Sequence, residues 1–371
     1  MKDKKTHVRY CWIDVNNVCN LSCPYCYTAA RKVNSNEPFI KQGLSFAHIK
    51  RLLLECQKIN IESVIISGGE PSLRQDLMDI LDYSANEAKL KTFLVTNGTI
   101  LNKDMISKFH SWDIELQVSV DAINPDIYLK CRGAPVLKKV LQNIDLLLEY
   151  EVAFALAATI TTINEDHIED IVKFALRKGI QSLHLAEVKP LNKPSRELFV
   201  PYIYPVLKKL YELQKYYYPY IGINIIEHFV YPIILDFKRK AFCNAMEGNA
   251  LEIKDNGDIH LCVGIGSPLG NTKWTRLESI TDLCNSYSYK YSIDDVDKCC
   301  NCKYKYICGG GCRYIAYFFS HGDTNARHPS CISYKNFIED IKQDAEAGKL
   351  DSYADYIKKI RISETEYRKY L

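Results

Sequence analysis

The 371-residue sequence lacks an excess of charge of either sign. Lys and Arg total 48 and Asp and Glu total 45, which leaves a formal net charge of +3. A surface this balanced shows no overall electrostatic preference for nucleic acid or for an anionic membrane surface. We therefore expect neither of them as a partner.

Long apolar runs are also missing. The longest clearly apolar stretch, Val152 to Ile160, is far shorter than the ~20 residues that a membrane-spanning helix needs. The N-terminal stretch MKDKKTHVRYCWIDV begins with basic residues but contains no apolar segment of the signal-peptide type. We expect a cytoplasmic protein, and in that compartment fifteen cysteines favour metal ligation over disulfides.

Cysteine is abundant, and its first cluster is the stretch CNLSCPYC, which holds Cys19, Cys23 and Cys26. Three thiolates cannot complete a four-cysteine site. If they hold a cubane of four irons, one iron is left without a protein ligand. A small molecule can chelate such an iron and receive an electron there, which is typical of a reaction centre. The alternatives are a zinc site or buried thiols.

The first ~230 residues alternate between short apolar runs and amphipathic stretches, which predicts βα units in series. The six predicted strands are Cys11–Val15, Ser63–Ser67, Lys91–Thr96, Ile114–Val120, Ala153–Thr161 and Gln181–Glu187. The predicted helices include 46–59, 73–88 with a capping box from Ser72 to Gln75, and 166–178 ending at Gly179. The predicted fold class is α/β, a partial (βα)6 barrel of the TIM type.

Polar and glycine clusters follow the first four predicted strands. The cysteine triplet follows the first strand, Gly68-Gly69-Glu70-Pro71 the second, Asn97 the third and Ser119 the fourth. In parallel barrels the working residues lie on the loops after the strands, so all four clusters are expected at one rim.

With the triplet, Tyr25 before its third cysteine, and the GGEP segment, the chain resembles the radical S-adenosylmethionine (SAM) enzymes. The resemblance implies that SAM chelates the open iron and is cleaved to a 5′-deoxyadenosyl radical, which abstracts hydrogen. It also implies a protein reductant such as flavodoxin or ferredoxin. Its implied SAM-contacting residues are Tyr25, Gly68, Gly69, Glu70, Pro71, Asn97, Ser119 and Arg132.

The later cysteines, with Gly257 among them, resemble the SPASM extension of that family, which implies two auxiliary [4Fe–4S] clusters, three clusters in all. The implied ligands are Cys243, Cys262 and Cys312 for the first auxiliary cluster, and Cys299, Cys302, Cys308 and Cys331 for the second. The first has only three, so it either has an open iron or borrows Cys284 or Cys300. Zinc is the alternative for residues 299–312.

The implied domains are a radical SAM partial barrel over 1–230, a SPASM domain over 231–335 and a helical segment over 336–371. A tyrosine-rich helix is predicted over 195–220, packing on the barrel, with a peptide-binding face as the alternative. No catalytic residue is assigned. Cys131, beside Arg132, is a candidate hydrogen-atom donor to a substrate radical.

SPASM proteins as a group act mostly on peptides and proteins, so the resemblance implies a maturase that forms a thioether or carbon–carbon crosslink in a ribosomally made peptide. One alternative is an anaerobic sulfatase-maturating enzyme, which makes formylglycine. Val263 counts against it, because that subfamily carries Asp there as its expected base. Another is a porphyrin- or quinone-pathway enzyme; a non-catalytic zinc or iron scaffold is a different class. Eighteen residues precede Cys19, so we expect a separate leader-recognition protein or direct capture of the substrate.

Overall fold

A computed structural model describes residues 8–33, 43–191, 193–262, 264–288 and 291–359. The strands are β1 (Tyr10–Asp14), β2 (Val18–Cys19), β3 (Arg31–Lys32), β4 (Ser63–Ser67), β5 (Lys91–Thr96), β6 (Glu115–Ser119), β7 (Phe154–Ile160), β8 (Ser182–Glu187), β9 (Gly222–Ile223), β10 (Ala250–Ile253), β11 (Asp258–His260) and β12 (Gly270–Asn271).

The helices alternate with the strands over most of the chain. They are α1 (Phe46–Lys58), α2 (Leu77–Asp82), α3 (Lys103–Ser111), α4 (Pro125–Arg132), α5 (Leu137–Glu149), α6 (Ile168–Lys178), α7 (Lys193–Glu197), α8 (Tyr204–Tyr217), α9 (Asn224–Ile234), α10 (Leu277–Ser288), α11 (Lys305–Cys308), α12 (Arg313–Phe319), α13 (Cys331–Glu346) and α14 (Asp351–Lys359).

The chain divides into two compact units. The first comprises Met1–Val120, Asn124–Ala155 and Gly248–Ser288, and the second comprises Asp121–Ile123, Leu156–Glu247 and Tyr289–Leu371. Residues 248–288 therefore pack with the unit that carries the cysteine triplet, although the sequence places them in the second predicted domain. The predicted domain boundaries at 230 and 335 stay predictions.

In the first unit the strand order is β12-β11-β10-β1-β4-β5-β6. The strands from β10 to β6 run parallel, and β11 and β12 are antiparallel additions. Every residue of β4 is buried, as expected for a parallel strand covered on both faces. Against the sheet, α1 buries its predicted apolar face of Ile49, Leu52, Leu53 and Cys56.

The six predicted strands are all present, each within one residue of its predicted ends. The predicted helix start at Leu73 and its capping box are wrong. The chain instead makes a 3-10 turn, Pro71–Leu73, and Arg74 is extended. The Arg74 guanidinium donates to Asp76, to the Val15 carbonyl and to the Leu44 carbonyl, so α2 begins only after these contacts, at Leu77.

The second unit contains β7, β8 and β9 as neighbouring parallel strands. The C-terminal end of α6 at Gly179 is confirmed: this residue has φ 71° and its N–H donates to the Ala175 carbonyl. The α/β class with parallel strands is likewise confirmed. None of the described helices is long and apolar enough to cross a membrane.

The predicted tyrosine-rich helix is two helices, α7 and α8, because Pro205 occupies the first turn of α8. Its tyrosines divide between two roles. Tyr211 is buried against Phe337 of α13, whereas Tyr202, Tyr216, Tyr217 and Tyr220 are exposed. The helical segment after residue 335 is confirmed as far as Lys359, with α13 burying Phe337, Ile338 and Ile341.

Candidate functional site

The cysteine triplet lies in the loop that follows β1 in the first unit. Cys19 ends β2, and its carbonyl accepts from the Val33 N–H, while Cys26 N–H donates to the Cys23 carbonyl in a tight turn. All three side chains are half-buried. The loop therefore has a defined backbone and leaves its sulfurs partly accessible.

Gly68 and Gly69 bring the end of β4 into backbone contact with this loop. The Gly69 N–H donates to the Asn16 carbonyl and side chain, and the Glu70 N–H donates to the Val18 carbonyl. A Cβ on Gly69 would lie 2.1 Å from the Val18 oxygen, and one on Gly68, where φ is 140°, 2.5 Å from the Asn16 oxygen. Only glycine fits this approach.

The Glu70 carboxylate fastens β4 to the end of β5. Its Oε1 accepts from Ser72 N–H at 3.1 Å, Ser72 Oγ at 2.6 Å and Thr96 Oγ1 at 2.7 Å, and its Oε2 accepts from Asn97 N–H at 2.7 Å. The side chain is buried, and this burial raises its pKa. Glu70 thus has a structural role that the sequence did not indicate, and its contact with SAM stays a prediction.

Asn97 links β5 to the cysteine loop itself. Its Nδ2 donates to Asn20 Oδ1 at 2.8 Å and lies 3.8 Å from Cys19 Sγ, while its Oδ1 accepts from Thr99. Asn20 in turn donates to Thr99 Oγ1 at 2.8 Å. The predicted Asn97 position is therefore at the triplet.

Each of the three sulfurs has a hydrogen-bond donor nearby. Cys19 Sγ is 3.4 Å from the Leu21 N–H, Cys23 Sγ is 3.9 Å from an Arg132 guanidinium nitrogen, and Cys26 Sγ is 3.2 Å from the Thr28 hydroxyl. Hydrogen bonds to sulfur are typical of iron–sulfur ligand sites.

Burial and then the Glu70 charge raise the pKa of Cys19 to about 12, so iron binding there must displace the thiol proton. Three cysteines on one ordered loop, each sulfur within reach of a hydrogen-bond donor, are the ligand type that iron–sulfur clusters use.

The remaining predicted SAM residues lie in the first unit as well. Gly133, which ends α4 with φ 71°, packs so closely on Ser22 that a Cβ would be 2.4 Å from its hydroxyl. The Arg132 carbonyl accepts from the Ser22 N–H, so α4 supports the cysteine loop. Tyr25 and Pro71 are buried, and Ser119 is half-buried at the carboxyl end of β6. Cys131 is fully buried on α4, and its role as a hydrogen donor stays a prediction.

A second cysteine site lies in the second unit, where Cys299, Cys302, Cys308 and Cys331 line one pocket. These are the four residues that the sequence groups as one cluster. Within the described residues, no three His, Cys, Asp or Glu side chains are grouped so as to hold a single metal ion. The four cysteines line one pocket without converging on a single ion position.

Backbone donors and cations surround this pocket. Gly309, Gly310 and Gly311 have φ of 64°, 83° and 72°, and the Gly310 N–H donates to the Cys308 sulfur, whose pKa burial raises to about 12. A backbone N–H that donates to a cysteine sulfur is a feature of iron–sulfur sites. Lys298, Lys305 and Lys335 also line the pocket. The surroundings therefore suit a group of net negative charge.

The proposed ligands of the other auxiliary cluster are divided between the units. Cys243 and Cys312 belong to the second unit and Cys262 to the first, so their grouping stays a prediction. Cys300, one of the two predicted substitute ligands, donates its S–H to the Asp297 carbonyl, and its role as a ligand stays a prediction. The Cys284 side chain and Val263 lie outside the described residues.

One polar cluster was missed by sequence reasoning. Lys254 Nζ donates to Asp14 Oδ2 at 2.8 Å and to Glu252 Oε1 at 2.6 Å, and burial raises the pKa of Asp14 to about 6. Strand register places Trp12, Glu252 and His260 in one row beside them. Within the described residues, Trp12 Nε1, Asp14 Oδ1 and His260 Nδ1 are buried without a hydrogen-bond partner. No local motif marks these residues, because the pairing joins positions 240 apart.

Residues 13–175 match the model of the radical SAM superfamily, and they contain the triplet, the GGEP turn and Asn97. Residues 13–175 are a radical SAM domain. The protein is an enzyme. The matched domain covers the β1-to-α6 part of the chain, which holds every residue that the structure brings to the triplet.

Some similar proteins match most of the chain, including residues outside 13–175. The AdoMet-dependent heme synthase of Methanosarcina barkeri is 24% identical over 333 residues, 85% of this chain and 93% of that protein. The structure of anSMEcpe with bound AdoMet and the Cp18Cys peptide has a TM-score of 0.72 at 19% identity, covering 94% of this chain and 99% of that one. Streptococcus suis SuiB bound to the precursor peptide SuiA has a TM-score of 0.66 at 18% identity, covering 87% and 75%. These two likenesses show a shared fold.

Proposed function

We propose that the protein reductively cleaves SAM and uses the resulting 5′-deoxyadenosyl radical to abstract hydrogen from a peptide or protein substrate. The observation that carries the first part is the junction of the triplet loop with Gly68–Pro71 and Asn97. There, three thiols with hydrogen-bond donors meet a glycine turn that no other residue fits.

The residues have distinct proposed roles at this junction. Cys19, Cys23 and Cys26 hold a [4Fe–4S] cluster, which supplies the electron for SAM cleavage when bound. Gly68 and Gly69 let the turn after β4 approach the cysteine loop closely, and Glu70 joins this turn to the end of β5. The contact of these residues with SAM is part of the proposal. Arg132 and Asn97 donate toward the sulfurs of Cys23 and Cys19.

We further propose two auxiliary [4Fe–4S] clusters. Cys299, Cys302, Cys308 and Cys331 close one of them, and the pocket that all four line supports this assignment. Cys243, Cys262 and Cys312 hold the other. With three ligands it has an open iron for a substrate thiolate, or a fourth ligand from Cys284 or Cys300.

A peptide substrate is supported by the fold shared with anSMEcpe and SuiB, whose structures contain peptides. The proposed modification is a thioether or carbon–carbon crosslink in a ribosomally made peptide. We also propose that the polar cluster of Asp14, Glu252 and Lys254 contacts the substrate. Among the described residues, buried polar atoms in and beside this cluster have no hydrogen-bond partner. The leader segment of the peptide is recognised by a separate protein, or the enzyme captures the substrate directly.

The test replaces Cys19, Cys23 and Cys26 together by Ala. Anaerobically reconstituted wild-type protein should hold about three clusters by iron count and release 5′-deoxyadenosine with dithionite and SAM. The variant should lose all SAM cleavage, because the cluster that binds SAM is gone. It should lose only about four irons per chain, because the auxiliary ligands remain. A Cys56→Ala variant, which removes a thiol buried on α1, is the matched control and should keep both its iron content and its SAM cleavage. Zinc-loaded wild-type protein without SAM cleavage would refute the proposal.

A porphyrin substrate is the second candidate, favoured by the likeness to the AdoMet-dependent heme synthase over 85% of this chain. Spectroscopic titration of the reconstituted enzyme separates the two. A porphyrin that binds, shifts its absorption band and is modified together with SAM cleavage would favour this candidate. Modification of a Cys-bearing peptide encoded by a neighbouring gene would favour the first.

A further inference from the structure

A buried histidine shares the pocket of the four cysteines. His328 is 2% exposed, and its ring lines the same pocket as Cys299, Cys302, Cys308 and Cys331. It stacks on Tyr334 with ring centroids 5.1 Å apart and an interplanar angle of 23°. Gly311 packs against its other edge so tightly that a Cβ there would be 2.7 Å from the ring. The ring is therefore fixed in place.

Its hydrogen bonding defines the tautomer. The Ser330 N–H donates to His328 Nδ1 at 3.1 Å, so Nδ1 carries no proton and the ring proton is on Nε2. Within the described part of the chain, Nε2 is buried and has no hydrogen-bond partner. A buried N–H without an acceptor is destabilising, and a bound acceptor in the pocket would offset this cost.

A buried positive charge, that of Arg313, lies near this ring. Arg313 is itself buried and donates to the carbonyls of Gly310, Gly311, Thr324 and Ala326. Arg313 thus adds a buried positive charge to those of the pocket-lining Lys298, Lys305 and Lys335, and His328 offers an N–H donor through Nε2.

We infer that His328 Nε2–H donates a hydrogen bond to a sulfur of the iron–sulfur cluster held by Cys299, Cys302, Cys308 and Cys331. The inference rests on the proposed auxiliary cluster. A hydrogen bond to cluster sulfur stabilises the electron-rich reduced form and raises the reduction potential. His328 therefore raises the potential of this cluster.

The test uses full-length protein with Cys19, Cys23 and Cys26 replaced by Ala, so that only auxiliary clusters remain. Two further substitutions distinguish the acceptor role of His328 Nδ1 from the donor role of Nε2. His328→Asn keeps an acceptor for Ser330 N–H but is too short to donate from the Nε2 position. His328→Gln places an amide donor near that position. His110→Asn, at an exposed site on α3, is the matched control.

Redox titration monitored by electron paramagnetic resonance gives the midpoint potentials. We expect one of two potentials to shift to more negative values in His328→Asn, and no shift in His328→Gln or His110→Asn. An unchanged potential in His328→Asn with its iron retained overturns the inference and leaves the proposed clusters intact. A triple-Ala protein that binds no iron refutes the auxiliary clusters and the inference together.

If His328→Asn loses its iron, a measurement on the protein with native His328 tests the hydrogen bond instead. Labelling with ¹⁵N-histidine and electron–nuclear double resonance on the reduced auxiliary clusters should show a histidine nitrogen with an exchangeable proton. The coupling should disappear in His328→Gln. Its absence from the protein with native His328 overturns the inference.

Discussion

At the scale of single residues, two glycines decide whether the triplet loop can form. Gly69 accepts no side chain, because the position of its missing Cβ is 2.1 Å from the Val18 carbonyl oxygen. Its N–H is also used twice, by the Asn16 carbonyl and the Asn16 side chain. The glycines are thus required by backbone contact with the loop, independently of any ligand.

Gly69→Ala should displace the loop and lower the free energy of unfolding by about 1–3 kcal/mol, the usual cost of overpacking. Iron content should fall by about four per chain, since the loop that carries the triplet is displaced. Thermal unfolding and iron analysis measure both. In the control Gly179→Ala the added methyl meets nothing within 4 Å, and only the strain of φ 71° is introduced. That variant should keep its iron; if Gly69→Ala keeps it too, the steric account is wrong.

At the scale of secondary-structure elements, buried carboxylates join the ends of strands and helices. Glu70 accepts four hydrogen bonds and so connects the turn after β4 with the end of β5. Glu227 of α9 accepts from Gln214 of α8, which also donates to Tyr353 of α14. Each carboxylate holds elements that the sequence shows only as separate helices or strands.

Glu70→Gln should be destabilising because one acceptor oxygen becomes an NH₂ group that faces protein donors. We expect a loss of about 2 kcal/mol in unfolding free energy, the cost of buried unpaired donors, together with slower SAM cleavage. Chemical unfolding and 5′-deoxyadenosine release test this. Glu62→Gln removes a carboxylate that is 43% exposed and pairs with Arg9, so it should cost at most about 1 kcal/mol. Equal losses in both variants would contradict the role given to Glu70.

Glu227 predicts a pH dependence of stability. Burial raises its pKa from 4.5 to about 7, so the folded protein holds more protons than the unfolded chain between these values. The stabilisation is present below pH 4.5 and is lost as the pH rises through 7. Relative to Glu227→Gln, wild type should lose about 3 kcal/mol of unfolding free energy between pH 4.5 and pH 8. Urea unfolding across this range measures the difference, and parallel pH profiles would refute it.

At the scale of the whole molecule, each compact unit has its own cysteine site. The triplet belongs to the unit built on β1, β4, β5 and β6, and the four pocket cysteines belong to the unit containing α11 and α13. Around the pocket, residues 299–312 form short turns with little regular structure. The proposed cluster should therefore stabilise this segment more than it stabilises the buried parallel sheet.

Removal of iron with a chelator should therefore act unevenly on the molecule. Amide hydrogen exchange should become much faster over residues 299–331, while β4 and β5 keep their protection. A Cys299→Ser, Cys302→Ser variant should show the faster exchange before any chelator is added. Unchanged exchange over 299–331 after iron loss would show that the segment is held by packing alone.

Much of the fold was predictable because the strands are dense in apolar residues and end at polar or glycine positions, as at Ser63–Ser67 and Lys91–Thr96. The start of α2 was not, since Arg74 takes its backbone conformation from contacts with Val15 and Leu44 far away in the sequence. The same limit hid the partnership of Asp14 with Lys254. Local pattern carries no information about which distant side chain a buried charge will meet.

The sequence by itself determined the cysteine spacings, the glycine turn and the order of strands and helices, because each depends on neighbours within a few residues. Only the tertiary structure decided what Glu70 holds, which donors face Cys19, Cys23 and Cys26, and that His328 lies with four cysteines in one pocket. Those arrangements depend on strand pairing and on burial, which join residues tens to hundreds of positions apart.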